Sequence, residues 1–308
     1  MNRTKEELES IIRQDRRAVL LVNAGARRGA AFFPEAERLL QRAGFVLDAS
    51  TAVRGPAELA AAVESALRWR PALVVVGSGD GTVSAVVDQL AYRDTVLGYL
   101  PLGTTNNFGR SLGLPMDPRA AVGVITSGKV VDVDLGCANG DYFTNELTLG
   151  VSVRVAAQVT DRLKRRLGRL AYGLTAARIL PRHAPITLTI TVDGRTRQVI
   201  TRQLGIASGR SHAGAPITAG ASIDDHTLTA YSLAARRREL VVASLRQALG
   251  RPRALAADAV MTGRRIVVTA QPPEPVELDG EISTSTPLEV TIAAEALNVM
   301  VPRAFADT

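Results

Sequence analysis

Three short segments of this 308-residue chain concentrate residue types that could do chemistry. In Val76-Gly77-Ser78-Gly79-Asp80-Gly81-Thr82 an apolar strand runs into three glycines at alternate positions, and a helix pattern starts at once. Glycines let backbone N–H groups approach an anion closely, and a helix N-terminus adds the positive end of a dipole. The spacing fits a phosphate-binding turn or an ordinary tight strand–helix connection, with neither the Walker ending nor the dinucleotide glycine spacing present. Asp80 would repel bound phosphate unless a divalent cation intervened, which points to a magnesium–nucleotide. It suits equally a cap on the following helix.

The second segment, Leu100-Pro101-Leu102-Gly103-Thr104-Thr105-Asn106-Asn107-Phe108-Gly109-Arg110, also follows a strand and so emerges at the same carboxyl edge of a sheet. Its hydroxyls and amides could hold phosphate and ribose, or form a plain asparagine-rich loop. The third, Val276-Glu277-Leu278-Asp279-Gly280-Glu281, sets two carboxylates about a glycine. If the strand continues regularly, positions i and i+2 face one side, which suits a general base with an orienting or metal-linked partner. Asp-Gly is also a common turn pair.

The elements that must position these segments can be read from the surrounding pattern. Thr4 and Glu7 fit a capping box, with a charged helix to about Arg17. Apolar runs at 18–22, 45–47, 72–76 and 96–100 read as buried parallel strands. Helices lie between them: one with Pro34 near its first position and Gly44 past its end, one opened by Pro56, one to about Leu90, and one from Asp117-Pro118 to Gly128. From Val130 strands dominate, at 142–153, 186–192, 197–203, 204–208, 228–233, 265–269 and 287–293, with Asp193-Gly194 as a hairpin turn. Helices interrupt at about 154–178 and 238–249. The pattern predicts an α/β N-terminal domain on a Rossmann-like parallel sheet over 1–131, then a β-rich antiparallel domain over 132–296.

Taken in order, the three segments resemble the diacylglycerol kinase catalytic domain family, in particular the soluble bacterial lipid kinases related to sphingosine kinases. That family carries Gly-Gly-Asp-Gly-Thr, then Pro-x-Gly-Thr-x-Asn-(Asp/Asn)-Phe, then Asp-Gly-Glu late in the chain. The likeness extends to Val22-Asn23, to Tyr142-Phe143-Thr144-Asn145 with Gly150, to the basic stretch 163–172, and to Ala221-Ser222-Ile223-Asp224-Asp225. The resemblance implies ATP- and Mg²⁺-dependent transfer of the γ-phosphoryl group to a lipid hydroxyl, with a diacylglycerol-like acceptor, in a cleft between the nucleotide domain and a lipid-binding sandwich. By position it implies nucleotide contacts at Asn23, Arg27, Thr51, Ser78, Gly79, Asp80, Gly81, Thr82, Val83, Ser84, Gly103, Thr104 and Asn106. It implies deprotonation of the attacking hydroxyl by the Asp279/Glu281 pair, a structural Mg²⁺ at Asp225 with Ser222 and Thr227, and recruitment of catalytic Mg²⁺ by Asp80, with Asp134 as a second ligand. It also implies that residues 297–308 return to the first domain.

Departures from the family pattern keep two alternatives open. Ser84 and Ala85 replace Asn-Glu and His226 a Gly, which leaves room for a catalytically impaired lipid-binding protein of the same fold; Ala24 also replaces a Pro, and Asn107 an Asp, as in other bacterial members. An NAD kinase-like phosphotransferase shares the Gly-Gly-Asp-Gly core, but the segment 103–108 and Asp279-Gly280-Glu281 argue against it.

The bulk properties agree with this reading. Thirty-seven basic against 30 acidic residues give a net charge of +7, which suits ATP phosphates and an anionic membrane surface as partners. Aromatic residues make up only 4%, which argues against a stacking surface for nucleic acid. A lone Cys137 excludes internal disulfides. The N-terminus lacks the apolar run of a signal peptide, and no uncharged stretch reads as a membrane span. The expectation is a cytoplasmic protein, transiently membrane-associated, with a homodimer left open. The basic runs 162–169 and 236–238 read as membrane contacts or as solvated faces.

Overall fold

A computed structural model describes residues 3–159, 170–179, 183–208, 211–212, 215–216, 223–233 and 259–307. The expected helix at 238–249, residues 160–169 of the one expected at 154–178, the basic runs 162–169 and 236–238, and Ser222 lie outside the described residues; what is described of 154–178 falls in two helices, not one. The first half alternates helix and strand: α1 (Lys5–Asp15), β1 (Arg17–Asn23), α2 (Gly29–Arg42), β2 (Val46–Val53), α3 (Pro56–Leu67), β3 (Leu73–Ser78), α4 (Asp80–Leu90), β4 (Val96–Pro101), α5 (Asn107–Ser111) and α6 (Pro118–Ser127). The rest is mainly strand. It begins with β5 (Lys129–Ala138), β6 (Asp141–Phe143), β7 (Glu146–Gly150), α7 (Val151–Gln158) and α8 (Leu170–Ile179). There follow β8 (Ile186–Val192), β9 (Arg195–Thr201), β10 (Gln203–Ala207), β11 (Ser211–His212), β12 (Ala215–Pro216) and β13 (Leu228–Leu233). The last five are β14 (Val260–Gly263), β15 (Arg265–Ala270), β16 (Pro275–Leu278), β17 (Glu281–Ser285) and β18 (Leu288–Val301).

The order β2-β1-β3-β4 is parallel and is coated on both faces. Val19, Leu21, Val74 and Val76 point to α3 and α4, while Leu20, Val22, Leu73 and Val75 point to α1, α2 and α6. That period-2 division is what a strand buried on both sides requires. The sheet continues through β18, β15, β8 and β9, so one sheet runs through both halves of the chain. β18 makes the join: 288–291 pair antiparallel with β15, Val299 pairs parallel with Leu97 of β4, and β5 runs beside it at both ends. A second, antiparallel sheet, β14-β13-β10-β7-β16-β17, faces the β8–β15–β18 region. Leu147, Leu149, Leu204 and Ile206 from one side meet Leu188, Ile190, Ile266 and Val268 from the other in a single apolar core.

Several local expectations need correction. Helix α2 begins at Gly29, five residues before Pro34, and its buried Phe32, Ala36 and Leu40 repeat every four residues. Only glycine fits at that start, because a β-carbon on Gly29 would lie 2.0 Å from the Asn23 carbonyl oxygen. The segment 142–153 is not one strand. It turns at 144–145, and at Gly150 (φ +101°) it bends into α7. The second strand is eight residues long rather than three, its polar positions being tolerated at the sheet edge. The capping box at Thr4 and the Asp193-Gly194 hairpin form as expected.

Candidate functional site

The site begins at the carboxyl edge of the parallel strands. β1 pairs with β2 on one side and β3 on the other, a reversal of strand order that leaves a crevice beyond the strand ends. Asn23, Ser78 and Pro101 end the strands that border it. Buried Asn23 donates through Nδ2 to Thr82 Oγ1 at 3.0 Å and accepts the Gly25 N–H at 2.8 Å, so it ties the β1 turn to the first turn of α4.

The two glycine loops pack backbone against backbone. A β-carbon on Gly103 would stand 2.6 Å from the Gly79 α-carbon and 2.8 Å from Asn106 Oδ1. Asn106, buried and left-handed (φ +51°), braces this contact by accepting the Gly103 N–H at 2.9 Å. Gly103→Ala is therefore expected to force the loops apart and to weaken at least about tenfold the binding of any ligand held between them, a change of 1.4 kcal/mol or more. Steady-state kinetics against the concentration of the phosphoryl donor check it, and an unchanged KM would refute the loops as a binding site.

Asp80 opens α4, yet it does not serve as that helix's own cap. Its carboxylate reaches across to accept the Phe108 N–H at 3.1 Å, linking the first glycine loop to α5. Burial pushes its carboxyl above the usual range, against the pull of the Asn107 and Phe108 N–H groups, and the nearby Asp279 pushes the same way. Neither Asp80 nor Asp279 forms an ion pair with a basic side chain among the described residues. Two neighbouring carboxylates without such a partner fit a divalent cation, with Asp80 as the group able to hold it.

Asp279 comes from the other half of the chain. Asp279 and Gly280 have φ of +45° and +100° and form the two-residue turn between β16 and β17, so the regular strand that would put Asp279 and Glu281 on one side does not exist here. The Asp279 carboxylate turns inward. Oδ2 accepts the Thr144 N–H at 2.7 Å and its hydroxyl at 2.9 Å, and Oδ1 accepts the N–H groups of Asn145 and Glu146 at 2.9 and 3.0 Å. Ser84 of α4 donates a further short hydrogen bond to Oδ2. The hairpin tip thereby rests on the N-terminus of α4, and a β-carbon on Gly81 would lie 3.9 Å from the Asp279 carbonyl oxygen. Glu281, two residues on, is exposed, and its side chain has no hydrogen-bond or ion-pair partner among the described residues.

The remaining sequence-derived positions divide by where their side chains go. Arg27, Thr51 and Thr104 are exposed on the turns and edge strand bordering the crevice. Val83 is fully buried in the core against β3, so only its backbone can face a ligand. Ser78 is buried, with its carbonyl accepting the Tyr99 hydroxyl at 3.1 Å. Asp134 makes its contacts apart from Asp80: buried on β5, it accepts the His226 N–H at 2.7 Å, His226 Nδ1 at 2.9 Å and the Glu295 N–H at 2.9 Å. Asp225 accepts the Thr227 N–H at 3.0 Å and hydroxyl at 2.8 Å. His226 thus lays its imidazole beside Asp134 and Asp224, the two buried carboxylates of that corner. Sequence reasoning missed Thr144 as the principal holder of Asp279, although the Thr144-Asn145 pair was a visible turn signal.

Comparison with known proteins agrees with this architecture. Residues 17–138 match the diacylglycerol kinase catalytic domain, and 145–301 match the YegS C-terminal NAD kinase beta sandwich-like domain. A diacylglycerol kinase of Bacillus subtilis (strain 168) is 39% identical over 141 residues, 45% of this chain and 46% of that protein. A diacylglycerol kinase of Staphylococcus carnosus (strain TM300) is 28% identical over 286 residues, 89% of this chain and 91% of that one. The chain thus spans about half the length of the first relative and nine-tenths of the second. A crystal structure of a diacylglycerol kinase from Bacillus anthracis str. Sterne shares the fold, with a TM-score of 0.71 at 19% identity over 94% of this chain and 98% of that one.

Proposed function

Because the chain belongs to the diacylglycerol kinase catalytic domain family, whose members are lipid kinases, we propose that it transfers the γ-phosphoryl group of ATP, with Mg²⁺, to a hydroxyl of a diacylglycerol-like lipid. The observation that carries the reading is the meeting, at the N-terminus of α4, of Asp80 and the glycine loops from one half with the Asp279 turn from the other. Phosphoryl transfer asks a protein mainly for positioning and charge stabilisation.

The crevice beyond β1, β3 and β4 receives the nucleotide, whose phosphates face the N–H groups of the two glycine loops and the dipole of α4. Asp80 would hold the Mg²⁺, which when bound offsets the charge on the phosphates. Asp279, with both oxygens filled by donors, fixes the hairpin rather than moving a proton. Glu281 is the group left to accept the hydroxyl proton of the lipid. No helix among the described residues is long and apolar enough to cross a membrane.

The test incubates purified protein with labelled ATP, Mg²⁺ and a panel of diacylglycerol, a sphingoid base, phosphatidylglycerol and NAD. Phosphorylated diacylglycerol is expected, together with loss of at least about 100-fold in rate on Asp80→Asn and on chelation of the metal. A folded protein that phosphorylates none of the lipids would overturn the reading.

A further inference from the structure

Beneath the two glycine loops, the side chains that β1, β3 and β4 turn toward α3 and α4 include Val19, Leu21, Val74, Val76 and Leu97, all apolar. Tyr99 of β4 joins them with its ring and is only 1% exposed, yet it carries a hydroxyl into that core. A buried hydroxyl is costly unless it is hydrogen-bonded, and phenylalanine would fill the same space with no polar atom to satisfy. The Tyr99 hydroxyl spends its proton on the backbone of the first glycine loop. It donates at 3.1 Å to the Ser78 carbonyl, which also accepts the Leu102 N–H at 2.9 Å. Ser78 ends β3, two residues before Asp80. Burial, and after it the nearby Asp80, pushes the Tyr99 hydroxyl well above its usual range, so it keeps the proton that it donates.

The ring of the same residue supports Asp80 from the second loop. It meets Phe108 edge-on, with 5.5 Å between centroids and 66° between planes. Phe108 is the residue whose N–H reaches the Asp80 carboxylate at 3.1 Å. Beside it, a β-carbon on Gly109 would stand 3.1 Å from Tyr99 Cε1, so the backbone of α5 lies directly on the ring. One buried side chain thus touches both pieces of chain that fix Asp80. A carboxylate that holds a small divalent cation needs such backing, because its affinity depends on groups behind the ligand that keep it in place.

We propose that Tyr99 is a positioning residue for the metal: through its hydroxyl it sets the end of β3 so that the Asp80 carboxylate stands where a divalent cation can be held. The proposal rests on the reading of Asp80 as the metal-holding group. Tyr99 itself touches neither metal nor substrate.

The experiment measures Mn²⁺ binding to the full chain in the presence of ADP by electron paramagnetic resonance, and the Mg²⁺ dependence of the kinase rate. It is run on the parent, Tyr99→Phe, Thr95→Val and Asp80→Asn, with a thermal melt of each to show that it folds. Tyr99→Phe keeps the ring against Phe108 and removes the hydroxyl alone. Thr95→Val removes a comparable bond at the opposite end of β4, where buried Thr95 donates through Oγ1 to the Pro71 carbonyl at 2.9 Å. Mn²⁺ binding is expected to weaken about tenfold in Tyr99→Phe and to stay at the parent value in Thr95→Val. The Mg²⁺ concentration for half-maximal rate should rise by the same factor in Tyr99→Phe, with the rate at saturating Mg²⁺ within about threefold of the parent. If Asp80→Asn loses Mn²⁺ but Tyr99→Phe binds it like the parent, or no worse than Thr95→Val, the role of Tyr99 is overturned while Asp80 keeps its own. If Asp80→Asn binds Mn²⁺ like the parent, or the parent binds none, the reading of Asp80 fails and the role of Tyr99 falls with it.

Discussion

Glu281→Gln is expected to lower kcat for lipid phosphorylation by about 10²–10⁴-fold, with KM for ATP nearly unchanged. The amide keeps the size of the side chain but cannot take the hydroxyl proton. Because Glu281 is exposed and its side chain holds no partner among the described residues, the substitution should move stability by no more than about 0.5 kcal/mol. Steady-state kinetics with a thermal melt of the same preparation provide the check. Activity within threefold of the parent would remove Glu281 from the chemistry.

Asp279→Ala should behave in the opposite way, losing stability and activity together. The substitution strips an acceptor from the N–H groups of Thr144, Asn145 and Glu146 and from the hydroxyls of Thr144 and Ser84. Unpaired donors cost about 1–3 kcal/mol each when buried, and water will re-solvate part of this part-buried set. A net loss of roughly 3–5 kcal/mol is expected, or a melting temperature lower by about 6–15 °C. The rate should fall at least 100-fold, because the hairpin that carries Glu281 is no longer pinned to α4. Asp279→Asn keeps one oxygen and the shape, so it should recover most of the stability while leaving the Thr144 or the Asn145 and Glu146 donors mismatched. If Asp279→Ala melted like the parent, Asp279 would not be the anchor described above, and its carboxylate would return as a candidate base.

The contrast between these two carboxylates also marks how far the sequence could be read. The glycine loops were legible because close backbone approach leaves a compositional trace: no other residue tolerates the 2.6 Å that a β-carbon on Gly103 would leave to Gly79. The strands 72–76 and 96–100 were legible because burial on both faces produces unbroken apolar runs. The different tasks of Asp279 and Glu281 were not, since they arise from a left-handed turn and from donors about 135 residues away in sequence. The start of α2 was misjudged because Pro34 suggested a first turn, whereas packing of Phe32, Ala36 and Leu40 extends the helix through it. The role of His226 was likewise hidden, because its partner Asp134 is 92 residues distant.

The strand β18 has a consequence for how the molecule is made. Its last residues complete the first half's sheet at β4, about 200 residues earlier in the chain. At typical rates of synthesis, roughly 10–40 s pass between the appearance of β4 and that of its neighbour. Throughout that interval the freshly made β4 presents an unpaired edge of apolar chain, the kind of surface on which nascent polypeptides associate with one another. The crevice beyond β1, β3 and β4 is therefore among the first parts of the protein to be synthesised, yet the sheet that supports it closes among the last, and a chain released early would carry the glycine loops on an unfinished sheet.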